Sequence, residues 1–188
     1  MHAAAIHALP NAHHVVIMPQ ANWLELIQEG EFDRICGYSL GSLLLLDALS
    51  RGCLSSPVIL LAPIFNFDRY AGVGSRVAKT QLKVLIRWLR RDPLAAIHDF
   101  YQQAELPIGP LAELPYALTE LLWGLDALLT LQVPLTVAQD SVCVVGAQDR
   151  LLDSDYLRTQ LPHTVVVANG THDIQTLSQA LATTAASG

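Results

Sequence analysis

Ile35-Cys36-Gly37-Tyr38-Ser39-Leu40-Gly41-Ser42-Leu43-Leu44-Leu45-Leu46 joins a short apolar run to Gly-x-Ser-x-Gly and then to a long apolar helix pattern. The outline is strand, sharp turn, helix. A nucleophile elbow needs this layout: the Ser sits at a strand's carboxyl end in a strained backbone conformation, and glycines two residues before and after let strand and helix approach. Its hydroxyl then lies beside the N-terminus of the helix that starts near Leu40, where free N–H groups and the positive dipole end stabilise an anion. Ser39 is therefore the candidate nucleophile and the Leu40 N–H a candidate oxyanion donor. The competing reading of Ser39 is an ordinary tight-turn residue.

Outward from this stretch the chain alternates. Residues 2 to 9 read as an Ala-rich helix, Val15 to Met18 as a buried strand, Trp23 to Gln28 as a helix stopped by Gly30, and Phe32 to Cys36 as the strand feeding the elbow. Leu40 to Leu49 form the following helix, and residues 57–63 are an apolar strand covered on both faces. From Ser75 to about Leu131 the pattern is helical, interrupted at Asp92-Pro93, where Asp caps and Pro opens the next helix, and by a loop from Pro107 to Pro115. Strand character returns at Ser141 to Gly146 and Thr164 to Val167, with helices at Ser154 to Leu161 and Ile174 to Ala182. The expected fold class is α/β: a parallel sheet with flanking helices, formed by residues 1–63 and 135–188, bearing an all-helical lid insertion at 64–134.

Composition narrows the function. The 188 residues suffice for one core, 52% are hydrophobic and 15% charged, and the net charge of −6 argues against nucleic-acid binding. No apolar run reaches the roughly 18 to 20 residues of a membrane span, because Asp47 and Arg51 close the longest one. The N-terminus lacks the basic flank of a secretory signal, so a cytoplasmic location is expected. Cys36, Cys53 and Cys143 have no metal-ligand spacing and are expected to be reduced and buried. The seven histidines form no zinc motif, so neither metal nor organic cofactor is expected.

A serine needs a base to take its proton and an acid to hold that base in the right tautomer. His172, after the last strand through Gly170-Thr171, is the candidate base. Asp149, after Gly146-Ala147-Gln148, is the candidate acid, with Asp153 and Asp155 as alternatives. Asp173 fits the first turn of the closing helix. All three candidate groups follow strand carboxyl ends, where parallel sheets place their sites.

Together Gly37-Tyr38-Ser39-Leu40-Gly41, Gly146-Ala147-Gln148-Asp149 and Gly170-Thr171-His172 resemble the α/β-hydrolase superfamily. The insertion, with Arg90-Arg91-Asp92-Pro93 running to Asp99-Phe100-Tyr101, resembles the lid of pimeloyl-acyl-carrier-protein methyl ester esterases of biotin biosynthesis. The resemblance implies a serine hydrolase cleaving a carboxylic ester, and an acyl carrier protein as partner. Against that pattern Val15 to Met18 matches the family's fourth strand, so the earlier strands and the loop supplying a second oxyanion donor are expected to be missing. Losing one such donor costs roughly 3 to 4 kcal/mol in the transition state. A catalytically weak or inactive binding or scaffold protein is therefore the alternative, further strands encoded before Met1 stay open, and a homodimer covering the exposed sheet is expected.

The insertion also concentrates charge. Arg76, Lys79, Lys83, Arg87, Arg90 and Arg91 are six of the 11 basic residues, spaced by three and four so that most share a helix face. This face suits an acidic partner such as the acyl carrier protein; a merely solvated face is the competing reading. Trp88, Phe100, Tyr101, Leu122 and Trp123 are candidates to line an acyl channel or to serve as core.

Overall fold

A computed structural model describes residues 22–55, 58–109 and 111–185, with side chains through 181. The expected helix at 2–9 and strand at Val15 to Met18 lie outside the described residues. The sheet has four parallel strands in the order β1 (Ile35–Tyr38), β2 (Val58–Leu61), β3 (Val142–Gly146) and β4 (Thr164–Val167). Sequential parallel neighbours require a crossover between each pair. These are α2 (Leu40–Ser50), the segment bearing α3 (Lys79–Leu89), α4 (Pro93–Gln103) and α5 (Leu118–Thr130), and α6 (Ser154–Gln160), with α1 (Trp23–Glu29) before β1 and α7 (Ile174–Ala185) after β4.

Helix α2 is apolar around its circumference, and Ser42, Leu43, Leu44, Leu45, Leu46 and Ala48 are all buried. A helix of that kind must be covered on several sides, and α2 packs on β1, on β2 and on α5. At Gly37 a side chain would meet Leu45, Gly41 and Ser42 at 2.7–2.8 Å, so glycine is what lets strand and helix close on each other. Gly41 differs from expectation: beyond its chain neighbours and the backbone of its own helix, no described residue comes within 4 Å of the position its Cβ would take. The other close approach to α2 is Gly124 of α5, where a Cβ would stand 2.9 Å from Leu40 Cδ2.

Two of the boundaries that differ from the sequence reading bear on the site. β1 runs from Ile35 to Tyr38, not from Phe32 to Cys36, because Gly37 and Tyr38 still pair in register with Leu60 and Leu61 and carry the ladder to the turn. α3 starts at Lys79, not Ser75, because Ser75 forms an antiparallel bridge with Leu152 and the Arg76 N–H donates to Leu151 O at 2.8 Å. The break between α3 and α4 is as expected: Pro93 opens α4 and the Asp92 carboxylate accepts from Ala95 N–H at 3.2 Å. All three cysteines are free thiols, but only Cys143 is buried, while Cys36 is exposed. Burial in β1 falls on the position occupied by Gly37, and Cys36 lies on the open side.

Candidate active site

The chain turns out of β1 at Ser39 with φ 52° and ψ −116°, a conformation a non-glycine residue rarely adopts and that costs about 1–3 kcal/mol. Hydrogen bonds on both sides hold it. Ser39 N–H donates to Leu61 O at 3.0 Å, which extends the β1 to β2 ladder by one residue. The Ser39 carbonyl accepts from Leu43 N–H at 3.3 Å and from the Ser42 hydroxyl. Ser42 Oγ in turn accepts from Ile64 N–H at 3.0 Å, tying the elbow to the segment after β2.

The other two groups are brought together by paired glycines. At Gly146, at the end of β3, a Cβ would lie 2.3 Å from Gly170 O and 2.5 Å from Thr171 O. Only glycine allows the two loops to cross, and Gln148 N–H then donates to Gly170 O at 2.8 Å. The loops deliver Asp149 and His172 to one point, both almost fully buried. His172 Nδ1 lies 2.7 Å from Asp149 Oδ2, and His172 Nε2 lies 2.9 Å from Ser39 Oγ. Asp149 Oδ1 accepts from Leu151 N–H at 2.8 Å and Leu152 N–H at 3.1 Å, so its carboxylate is held at both oxygens. The arrangement suits the tautomer with its proton on Nδ1 toward Asp149 and Nε2 facing the Ser39 hydroxyl.

Tyr38 completes the frame from below the elbow. Its hydroxyl donates to His172 O at 2.7 Å, and its ring sits 5.5 Å from the imidazole, tilted by 47°. Burial, reinforced by the Asp149 and Asp173 carboxylates, drives its phenol pKa well above the usual range, so it stays a donor. Leu40 N–H, the expected oxyanion donor, sits at the first position of α2 and makes no hydrogen bond to a described residue.

The alternative acids have other work. Asp153 caps α6 by accepting from Tyr156 N–H at 3.0 Å, Asp155 faces Arg158 at 3.5 Å on the surface, and Asp173 caps α7 through Thr176. Among the basic candidates, Lys83, Arg87, Arg90 and Arg91 are exposed, Lys79 is half-buried, and none of the five makes an ion pair with a described residue. Arg76 does not belong to that face. It lies before α3, and its guanidinium reaches Asp149 O at 2.9 Å and Asp153 Oδ1 at 3.8 Å. Trp88 and Phe100 line a cavity of about 700 Å³ between α3, α4 and the loop after β3; Tyr101, Leu122 and Trp123 do not. Sequence reasoning missed Tyr38, Ser42 and the true contact of Arg76. A hydroxyl immediately before the Leu43 to Leu46 run was the one available signal, since a buried polar group demands a partner. Among the described residues no group of His, Cys, Asp and Glu could hold a metal, and no helix is long and apolar enough to cross a membrane.

Solved structures share this architecture. A bromoperoxidase from Bacillus anthracis superposes with a TM-score of 0.56 at 13% identity, over 88% of this chain and 69% of its own. A protein named as a lipase from Acinetobacter baumannii gives 0.55 at 16% identity, over 88% and 65%. One named as a non-heme bromoperoxidase from Mycobacterium tuberculosis gives 0.50 at 14%, over 89% and 69%. The chain has the α/β-hydrolase fold and spans about two thirds of the length of these proteins. No protein-family model and no curated protein matches the sequence.

Proposed function

We propose that the chain is a serine hydrolase that cleaves a carboxylic ester. The observation that carries this reading is the continuous relay from Asp149 Oδ2 through both ring nitrogens of His172 to Ser39 Oγ, at 2.7 and 2.9 Å. Ser39 Oγ attacks the ester carbonyl as His172 Nε2 takes its proton, and the tetrahedral oxyanion is held by Leu40 N–H. Collapse breaks the bond to the alkoxide, which leaves as the alcohol with the proton from His172, and the acyl group remains on Ser39. Water then attacks the acyl-enzyme with His172 again as base, releasing the acid and restoring Ser39. Asp149 keeps the imidazole oriented and stabilises its protonated form throughout.

Intact-mass analysis after a fluorophosphonate tests this reading. One adduct is expected, absent from Ser39→Ala; folded protein that gains no adduct would overturn it.

The finer reading is a methyl ester carried by an acyl carrier protein, as in biotin biosynthesis, in a cytoplasmic enzyme acting as a homodimer. The exposed cations Lys83, Arg87, Arg90 and Arg91 support an acidic carrier, because nothing described neutralises them. Residues 64–134 would act as the lid, and the cavity beside Trp88 and Phe100, whose walls mix Phe67, Leu82, Leu85 and Leu151 with Arg76, Asp99 and Arg150, would take the acyl chain.

A further inference from the structure

The acid of the triad sits on a loop gripped from two sides by the segment between β2 and β3. On one side, Arg76 N–H donates to Leu151 O at 2.8 Å, Asp153 N–H donates to Gly74 O at 2.8 Å, and Ser75 bridges Leu152. The Arg76 guanidinium adds a bond to the Asp149 carbonyl at 2.9 Å. On the other side, Arg150 pairs with Glu105, just past the end of α4. Glu105 has φ 51° and lies beyond a helix end closed by Leu106 N–H on Tyr101 O at 2.9 Å, so a non-glycine residue occupies the left-handed position there.

These contacts converge on one carboxylate. Leu151 and Leu152, whose amides hold Asp149 Oδ1, are the residues the Gly74 to Arg76 strip pairs with. We infer that Arg76 is a positioning residue for Asp149, and that the root of the helical insertion is fastened to the acid loop so that the carboxylate stays aimed at His172 Nδ1. Arg76 therefore acts through Asp149 and touches no reacting atom. The inference rests on the serine hydrolase reading for its kinetic consequence, although the contact it describes exists without turnover. It also removes Arg76 from the cations that an acidic partner would meet.

Arg76→Gln and Arg76→Lys are compared with the wild type on a 4-nitrophenyl ester and by proton NMR of the downfield His172 Nδ1–H. Removing a charged donor from a carbonyl, with the remainder screened by water, is expected to lower kcat about tenfold in Arg76→Gln with KM unchanged. Lys retains a charged donor for the Asp149 carbonyl, so Arg76→Lys recovers most of the rate. The downfield proton broadens or moves upfield in Arg76→Gln and returns in Arg76→Lys. An unchanged kcat, or a rise in KM alone, overturns the inference, the latter making Arg76 a substrate cation. If Arg76→Lys is as impaired as Arg76→Gln and both melt early, Arg76 is merely structural and the inference fails. If the wild type neither turns over nor takes a fluorophosphonate, the hydrolase reading falls by itself. The proton resonance then decides: its loss in Arg76→Gln alone upholds the inference, and identical spectra overturn it.

Discussion

Ser42 immediately precedes Leu43 to Leu46 with its side chain sealed from water, and it both donates to Ser39 O and accepts from Ile64 N–H. It thereby fastens a strained residue to the segment after the neighbouring strand. Ser42→Ala removes the acceptor without filling the space and leaves a buried N–H unpaired, a loss of about 1–3 kcal/mol. Urea unfolding should show a lower midpoint with an unchanged slope, and fluorophosphonate labelling of Ser39 should slow; a midpoint equal to wild type would remove Ser42 from this role. Tyr38 supports His172 from its backbone carbonyl in a comparable way, so two hydroxyls steady the Ser39 to His172 contact.

At the level of elements, the parallel sheet explains why distant residues meet. β1, β3 and β4 point the same way, so Ser39, Asp149 and His172 all emerge at one edge. α3 has two unlike faces. Leu82, Leu85 and Leu89 are buried, while Lys83 and Arg87, one turn apart, face solvent without a described counter-charge. Reversing both, with Lys83→Glu and Arg87→Glu, should raise KM for a carrier-bound ester several-fold and leave a small ester unaffected, since a rim charge steers a macromolecular partner and not a small neutral one. Equal effects on the two substrates would assign the face to solvent.

For the whole molecule, β1 is the last described strand on its side of the sheet, and the proposed homodimer would use that side if no strand of the same chain covers it. A homodimer joined along this side should scatter light as about twice the 20.5 kDa chain mass at micromolar concentration. A monomer under those conditions counts against the dimer.

Local patterns carried the fold class and the candidate triad. Apolar runs bounded by glycine and proline mark the strands, Asp92-Pro93 marks a helix start, and a serine, an acid and a histidine each follow a strand end; all of these are nearest-neighbour chemistry written in consecutive residues. Position after a strand end already favours Asp149; setting Asp153 and Asp155 aside required the third dimension. The choice depends on Gly146 crossing Gly170, a contact between residues 24 apart whose only sequence trace is two glycines. The role of Arg76 was hidden for the same reason. Its spacing to Lys79 and Lys83 matched a helix face, yet pairing with the Leu151 to Leu152 strip pulled residues 75 and 76 out of the helix. Periodicity reports what a segment would do alone, and here a backbone partner some 75 residues away outweighed it.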